Sequence, residues 1–204
     1  MNKTILRSLP LILLIAFIAL DGAAQEAANG KSVPTLSSDG FMIRRNANRI
    51  EAGWARYAPE GFGLSFELPG EPFERSYPVP PQLQTRILRT NVLEYHSVAV
   101  SANIAHIVFK ERVNLKWVAE QIQISLRAND QSDSIQCSKV LLVTKGDRFL
   151  LSASCSTFGS ELEMQSLIIG SGQQAWLVSV RNLREDREGT VVSRRVLDSA
   201  VIVR

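Results

Sequence analysis

Apolar side chains alternate with polar ones over residues 62–68, where Phe62, Leu64, Phe66 and Leu68 take every second position, the period of a strand with one buried face. Gly61 precedes this segment, and Pro69-Gly70-Glu71-Pro72 ends it, since proline cannot donate to a ladder and glycine permits the turn. Two further extended stretches are predicted over 82–90 and 93–109. A helix comes next. Asn114 suits its N-cap, and Leu115, Val118, Ala119, Ile122 and Leu126 recur at spacings of three and four. Trp117 and Ile124 form a second stripe, which predicts burial on two sides or an aromatic at a contact surface.

The following 45 or so residues read as a four-strand antiparallel meander. A three-residue loop at Lys145-Gly146-Asp147 sets Val143 opposite Phe149, Leu141 opposite Leu151 and Cys137 opposite Cys155. Only Lys139, opposite Ala153, breaks that apolar face. A two-residue turn in Phe158-Gly159-Ser160-Glu161 sets Leu151 against Ile168 and Cys155 against Met164. A third loop of three or five residues near Ser171 and Gly172 returns Trp176, Val178 and Val180 to the same side. Thr190 is a candidate N-cap for a last helix carrying Val191, Val192, Val196 and Leu197.

Opposed residues of an antiparallel pair bring their α-carbons within disulfide range, which predicts a Cys137–Cys155 bond. The alternative is two buried thiols, expected if the turn uses two residues and the register slips by one.

The start of the chain adds a location. Lys3 and Arg7 precede an uncharged apolar run from Leu9 to Leu20, too short to span a membrane and matched to a signal-peptide core. Gly22 and Ala24 supply the small residues for cleavage after Ala24, an uncleaved anchor being the rival reading. Residues 1–24 are therefore predicted as a signal peptide, 25–52 as a flexible leader and 53–204 as one domain. Within the leader, Phe41, Ile43, Ala47 and Ile50 are compatible with a short amphipathic helix, the one segment through which membrane contact is foreseen. Export implies an oxidising compartment in which the disulfide persists.

The formal charge of +3 falls to +2 when Lys3, Arg7 and Asp21 leave with the signal, too small an excess for a nucleic-acid binder. Arg181, Arg184, Arg187, Arg194 and Arg195 crowd one stretch, with Glu185, Asp186 and Glu188 among them. That pattern is a solvated face with internal ion pairs or a set of forks for a carboxylate or phosphate. On one continuous strand His96 and His106 fall on the same face about 33 Å apart, too far to share a metal; a hairpin near Ser101 brings them together but leaves a zinc site without its third ligand, and no HExxH or CxxC motif is present. There is no GxSxG or SxxK motif, and Glu161 and Glu163 turn away from the core face.

Tyr57-Ala58-Pro59-Glu60-Gly61-Phe62, the alternating strand and Leu68-Pro69-Gly70-Glu71-Pro72 resemble the opening of exported bacterial domains related to the PsbP-like (Mog-type) extrinsic subunits of photosystem II. Trp176-Leu177-Val178-Ser179-Val180 and Arg195-Val196-Leu197-Asp198-Ser199 resemble their final strand and helix, so the likeness spans about residues 57–203. Ala200 departs from it, standing where an aromatic commonly follows the serine. The resemblance implies an α+β fold, an antiparallel sheet covered by helices in an α/β/α sandwich, and a non-catalytic role in binding or assembly. It transfers no functional residue.

The expected protein is thus an exported, periplasmic or secreted, non-catalytic module without cofactor or metal, binding another envelope protein or a small ligand. The candidate contact surface is the sheet edge near Phe158 to Glu161, the second helix stripe at Trp117, or the arginine stretch with Arg181, Arg184, Arg194 and Arg195. A carboxylate-based hydrolase and a membrane-tethered envelope protein are the alternatives.

Overall fold

The computed structural model of the protein describes residues 47–51, 53–75, 77, 79, 83–128, 136–157 and 160–203. The predicted signal peptide, most of the leader, and Phe158 and Gly159 of the predicted turn lie outside the described residues.

Two antiparallel sheets carry the fold. The smaller has the order β1-β2-β3-β11 and comprises β1 (Ala47–Glu51), β2 (Trp54–Tyr57), β3 (Leu64–Leu68) and β11 (Val201–Ile202). The strand pairing thus reaches back into the segment read as leader. The larger sheet has the order β4-β5-β6-β10-β9-β8-β7. Its strands are β4 (Phe73–Arg75), β5 (Ile87–His96), β6 (Val100–Phe109), β7 (Gln136–Lys145), β8 (Arg148–Thr157), β9 (Ser160–Ser171) and β10 (Gln174–Leu183). Helix α1 (Leu115–Ala128) packs on one face, over β7, β8 and β9, while α2 (Arg187–Ser199) packs on the other face and against β3. The class is α+β, an antiparallel sheet with a helix on each side.

Two apolar cores result, one per face. Val118, Ala119, Ile122 and Leu126 of α1 bury against Ala105, Leu151, Ile168 and Leu177, whereas Leu64, Phe66 and Leu68 of β3 and Val196 of α2 share the other core with Ile104, Val178 and Val180. Strand β10 lies between them, so its successive side chains feed alternate cores. Asn114 caps α1 as expected, its Oδ1 accepting from the Trp117 amide at 3.1 Å. Gly63, at φ +71°, has no room for a side chain: a Cβ there would sit 2.9 Å from Trp176 Cζ2. The Trp176 indole donates to the Phe62 carbonyl at 2.7 Å, which locks this corner of β3 onto the large sheet.

Several registers differ from expectation, for local reasons. The β7–β8 turn uses two residues, because Lys145 pairs with Arg148, and the slip puts Leu142 opposite Leu151. Leu141 and Val143 are consequently exposed instead of core-facing. Cys137 nonetheless faces Cys155 and bonds to it, with α-carbons 4.0 Å apart. A bulge between Ser138 and Leu141 absorbs the slip, and Lys139, at φ 51°, lies inside it. The residue that spoiled the predicted face is the one the bulge turns out to solvent.

Strand β9 is displaced by two residues from the predicted pairing: Phe149 faces Ile168, Ala153 faces Met164 and Cys155 faces Leu162. An even slip preserves the face, so the core side is unchanged. The third loop also has two residues, with Ser171 opposite Gln174, and this odd change sends Trp176, Val178 and Val180 to the α2 core instead of the α1 core. The predicted stretch over 93–109 is two strands, turned at residues 97–99. Helix α2 starts earlier than expected, capped by Asp186, whose Oδ1 accepts from the Gly189 amide at 3.0 Å. Thr190 lies within the helix.

Candidate functional site

Strand pairing across β5, β6, β10 and β9 lines up Val92, Ala105, Leu177 and Ile168 in one row beneath the α1 core. Two residues along each strand, on the same face, the next row is Glu94, Asn103, Ser179 and Ser166. The row after that is His96, Ser101, Arg181 and Met164. The apolar floor therefore gives way to a polar one that remains under cover: Glu94 is 0% exposed and Arg181 6%.

Glu94 is well partnered. Its Oε1 accepts from the Tyr77 hydroxyl at 2.7 Å, and its Oε2 lies 3.3 Å from Arg75 Nε and 3.5 Å from His96 Nε2. Burial pushes its carboxyl up, but the hydrogen bonds from His96 and Tyr77 and the charge of Arg75 outweigh that and hold it below the ordinary value of 4.5. Tyr77 is pushed up by burial and by its bond to Glu94, so its hydroxyl keeps its proton and donates. The other ring nitrogen of His96, Nδ1, is 2.8 Å from Ser101 Oγ, and Phe73 packs on the imidazole with centroids 5.5 Å apart.

Arg181 is the opposite case. Its Nη1 and Nη2 are buried and have no hydrogen-bond partner among the described residues. Burial lowers its pKa and the negative charge of Glu94 works against that, yet a guanidinium still keeps its proton. Beside it, the Ser166 and Ser179 hydroxyls lie 2.8 Å apart. A mutual bond uses one of their two hydroxyl hydrogens, leaving one to donate.

The candidate arginines are dispersed over the fold. Only Arg181 reaches the polar floor. Arg184 is exposed and pairs with exposed Glu161, which raises its pKa. Arg194 is exposed on α2. Arg195, on the opposite face of the sheet, donates from Nε to Glu67 Oε2 at 2.9 Å and lies 4.0 Å from the Trp54 ring centroid. Glu67 takes Arg56 on its other oxygen, and that bond, opposed by burial and assisted by Arg195, holds its carboxyl below 4.5. Trp117 is half-buried at an open groove of about 610 Å³ shared with Arg86, Phe109, Arg112 and Asn114, and Arg86 sits 5.5 Å from its ring centroid.

The two histidines lie on neighbouring strands, not at opposite ends of one. His106 faces the α2 core, stacked on Trp176 with centroids 5.1 Å apart, its Nε2 2.9 Å from Gln174 Oε1. Burial lowers its pKa, which keeps it neutral. Among the described residues, no group of three or more His, Cys, Asp or Glu side chains is placed to hold a metal ion.

Sequence reasoning missed Glu94, His96 and Ser101 as partners because it ran β5 and β6 together. A turn centred on Val98 and Ala99 sets His96 against Ser101 and Glu94 against Asn103, and both pairings follow at once from that turn.

No protein-family model and no curated protein sequence matches the chain. Solved structures do. LpqN of Mycobacterium tuberculosis, described as involved in cell envelope biogenesis, is 16% identical over 67% of this chain and 86% of its own, with a TM-score of 0.38. A Bacteroides thetaiotaomicron protein is 13% identical over 70% of this chain and 46% of its own, with a TM-score of 0.42. The solution structure of cyanobacterial PsbP from Synechocystis sp. PCC 6803 is 13% identical, covers 84% of this chain and 100% of its own, and has a TM-score of 0.49.

Proposed function

We propose that the protein is an exported, non-catalytic binding module of the cell envelope that takes a small ligand on the polar floor between β5 and β10. One observation carries this reading: Arg181 buries a permanent positive charge with both terminal nitrogens unbonded. Such a group costs several kcal/mol unless something pairs with it. The signal-like opening of the chain and the Cys137–Cys155 bond support export. Native mass spectrometry of the protein recovered from the envelope fraction tests the reading. The expected result is an adduct of constant mass on the wild type that is missing from Arg181→Met. A wild type with no adduct overturns it.

A second reading rests on one specific contact chain. Ser101 Oγ lies 2.8 Å from His96 Nδ1, and His96 Nε2 lies 3.5 Å from Glu94, the order of nucleophile, base and orienting carboxylate used in acyl transfer. Labelling by a fluorophosphonate that Ser101→Ala abolishes would move the assignment to a serine hydrolase. An unlabelled protein retains the binding assignment.

A further inference from the structure

Resting on that reading, we infer that the ligand of the polar floor is a carboxylate carrying a single negative charge, gripped in two-point fashion by the unbonded Nη1 and Nη2 of Arg181. The geometry restricts the chemistry in three ways. A planar guanidinium with two free terminal nitrogens matches the two oxygens of a carboxylate. The spare hydrogen of the Ser166–Ser179 pair is a further donor one row away on the same face. The guanidinium and the spare hydroxyl are both donors, and an ionised carboxylate accepts from both.

Charge sets the upper limit. Glu94 is ionised on the same face, and the charge set against it at contact distance is that of Arg75, on β4 beyond β5 from β10, while Tyr77 and His96 make hydrogen-bond contacts to its oxygens. With Arg75 set against Glu94, one positive charge, that of Arg181, is left over on this face, and Glu94 acts on it without a hydrogen bond. A monocarboxylate cancels it; a phosphate dianion brings a second negative charge toward Glu94 in a buried, weakly screening environment. The same contrast separates this ligand from a phosphorylated one at the level of the floor itself.

Backbone-amide NMR of the whole secreted chain, titrated with sodium acetate or with inorganic phosphate at constant ionic strength, tests this. Acetate is expected to give saturable shifts at Ser101, Ser179 and Arg181, with an affinity about tenfold or more above that of phosphate. Arg181→Lys keeps the charge but loses the fork, and should weaken acetate by about tenfold. Ser179→Ala should weaken it several-fold, and serves if either arginine variant fails to fold. Glu94→Gln should narrow the preference for acetate over phosphate, because the charge that repels a dianion is gone. Equal or tighter phosphate binding, or acetate shifts that persist in Arg181→Met, overturns the inference. An envelope-derived adduct with no acetate shifts overturns the carboxylate assignment while leaving the binding module standing. No adduct and no shifts overturn both.

Discussion

Glu67 and Glu94 are both buried carboxylates beside arginines, on opposite sides of the fold, and they are finished differently. Glu67 is closed: Arg56 and Arg195 each hold one oxygen, and Trp54 stacks on Arg195. That cluster ties α2 to the small sheet, and both carboxylate oxygens are engaged inside the protein. Glu94 is equally satisfied, but by Arg75, His96 and Tyr77, while Arg181 lies on the same face unpaired. The closed cluster is structural and gains nothing from a ligand. The open one keeps a charge in reserve.

The largest test removes the disulfide on the α1 side of the large sheet. Cys137→Ala with Cys155→Ala, which reopens a loop with a sequence separation of 18, should lower stability by about 3 kcal/mol in urea unfolding. A negligible loss would mean that packing alone holds the α1 side. Next in size is the contrast between two arginines. Arg181→Met should raise stability by about 2 kcal/mol, since an unpaired buried charge gives way to an apolar chain of similar reach. Arg195→Met should lower it by about 1 kcal/mol, because Glu67 loses one of two partners. Losses of equal size at both sites would erase the distinction between open and closed.

A smaller effect is expected with pH. His106 has a folded pKa below its ordinary 6.5, so its contribution is complete above that value and is lost as pH falls below it, the unfolded chain taking up the proton first. Glu67, lowered from 4.5, contributes above that pH and loses its contribution as pH falls toward the lowered value. Glu94, lowered in the same way, adds to that second window, so thermal melts should decline in two stages, His106→Gln flattening the first and Glu67→Gln reducing the second, with Glu94 supplying what remains. The smallest change is Lys139→Gly, which should stabilise by up to about 1 kcal/mol by relieving a left-handed backbone, with the disulfide intact.

Much of the scaffold was legible because periodicity survives tertiary context. Helix α1, its cap, the meander and the opposed cysteines all follow from spacing. Misreadings came where a single residue changes parity. Two-residue turns replaced odd ones at Lys145–Arg148 and Ser171–Gln174, and each odd change moved a set of side chains to the other face. At Lys139 the bulge reversed that change before it reached Cys137, so the disulfide was found by an argument that was wrong at the turn. The candidate site was half visible. Arg181 stood out as one arginine among several, but its isolation depends on a strand buried from both sides, and pairing across three strands is not encoded in local pattern. Glu94 and His96 needed the turn at residues 97–99, which carries no glycine or proline to announce it.

The kink at Lys139 also bears on solubility. Strand β7 is the outermost strand on its side of the large sheet, with Leu141 and Val143 exposed along it, the profile of a surface that recruits further strands. The bulge divides its regular pairing between Ser138 and Leu141. A straight incoming strand would meet two short, misaligned stretches with a lysine at their junction, a shape that disfavours edge-to-edge growth of the sheet.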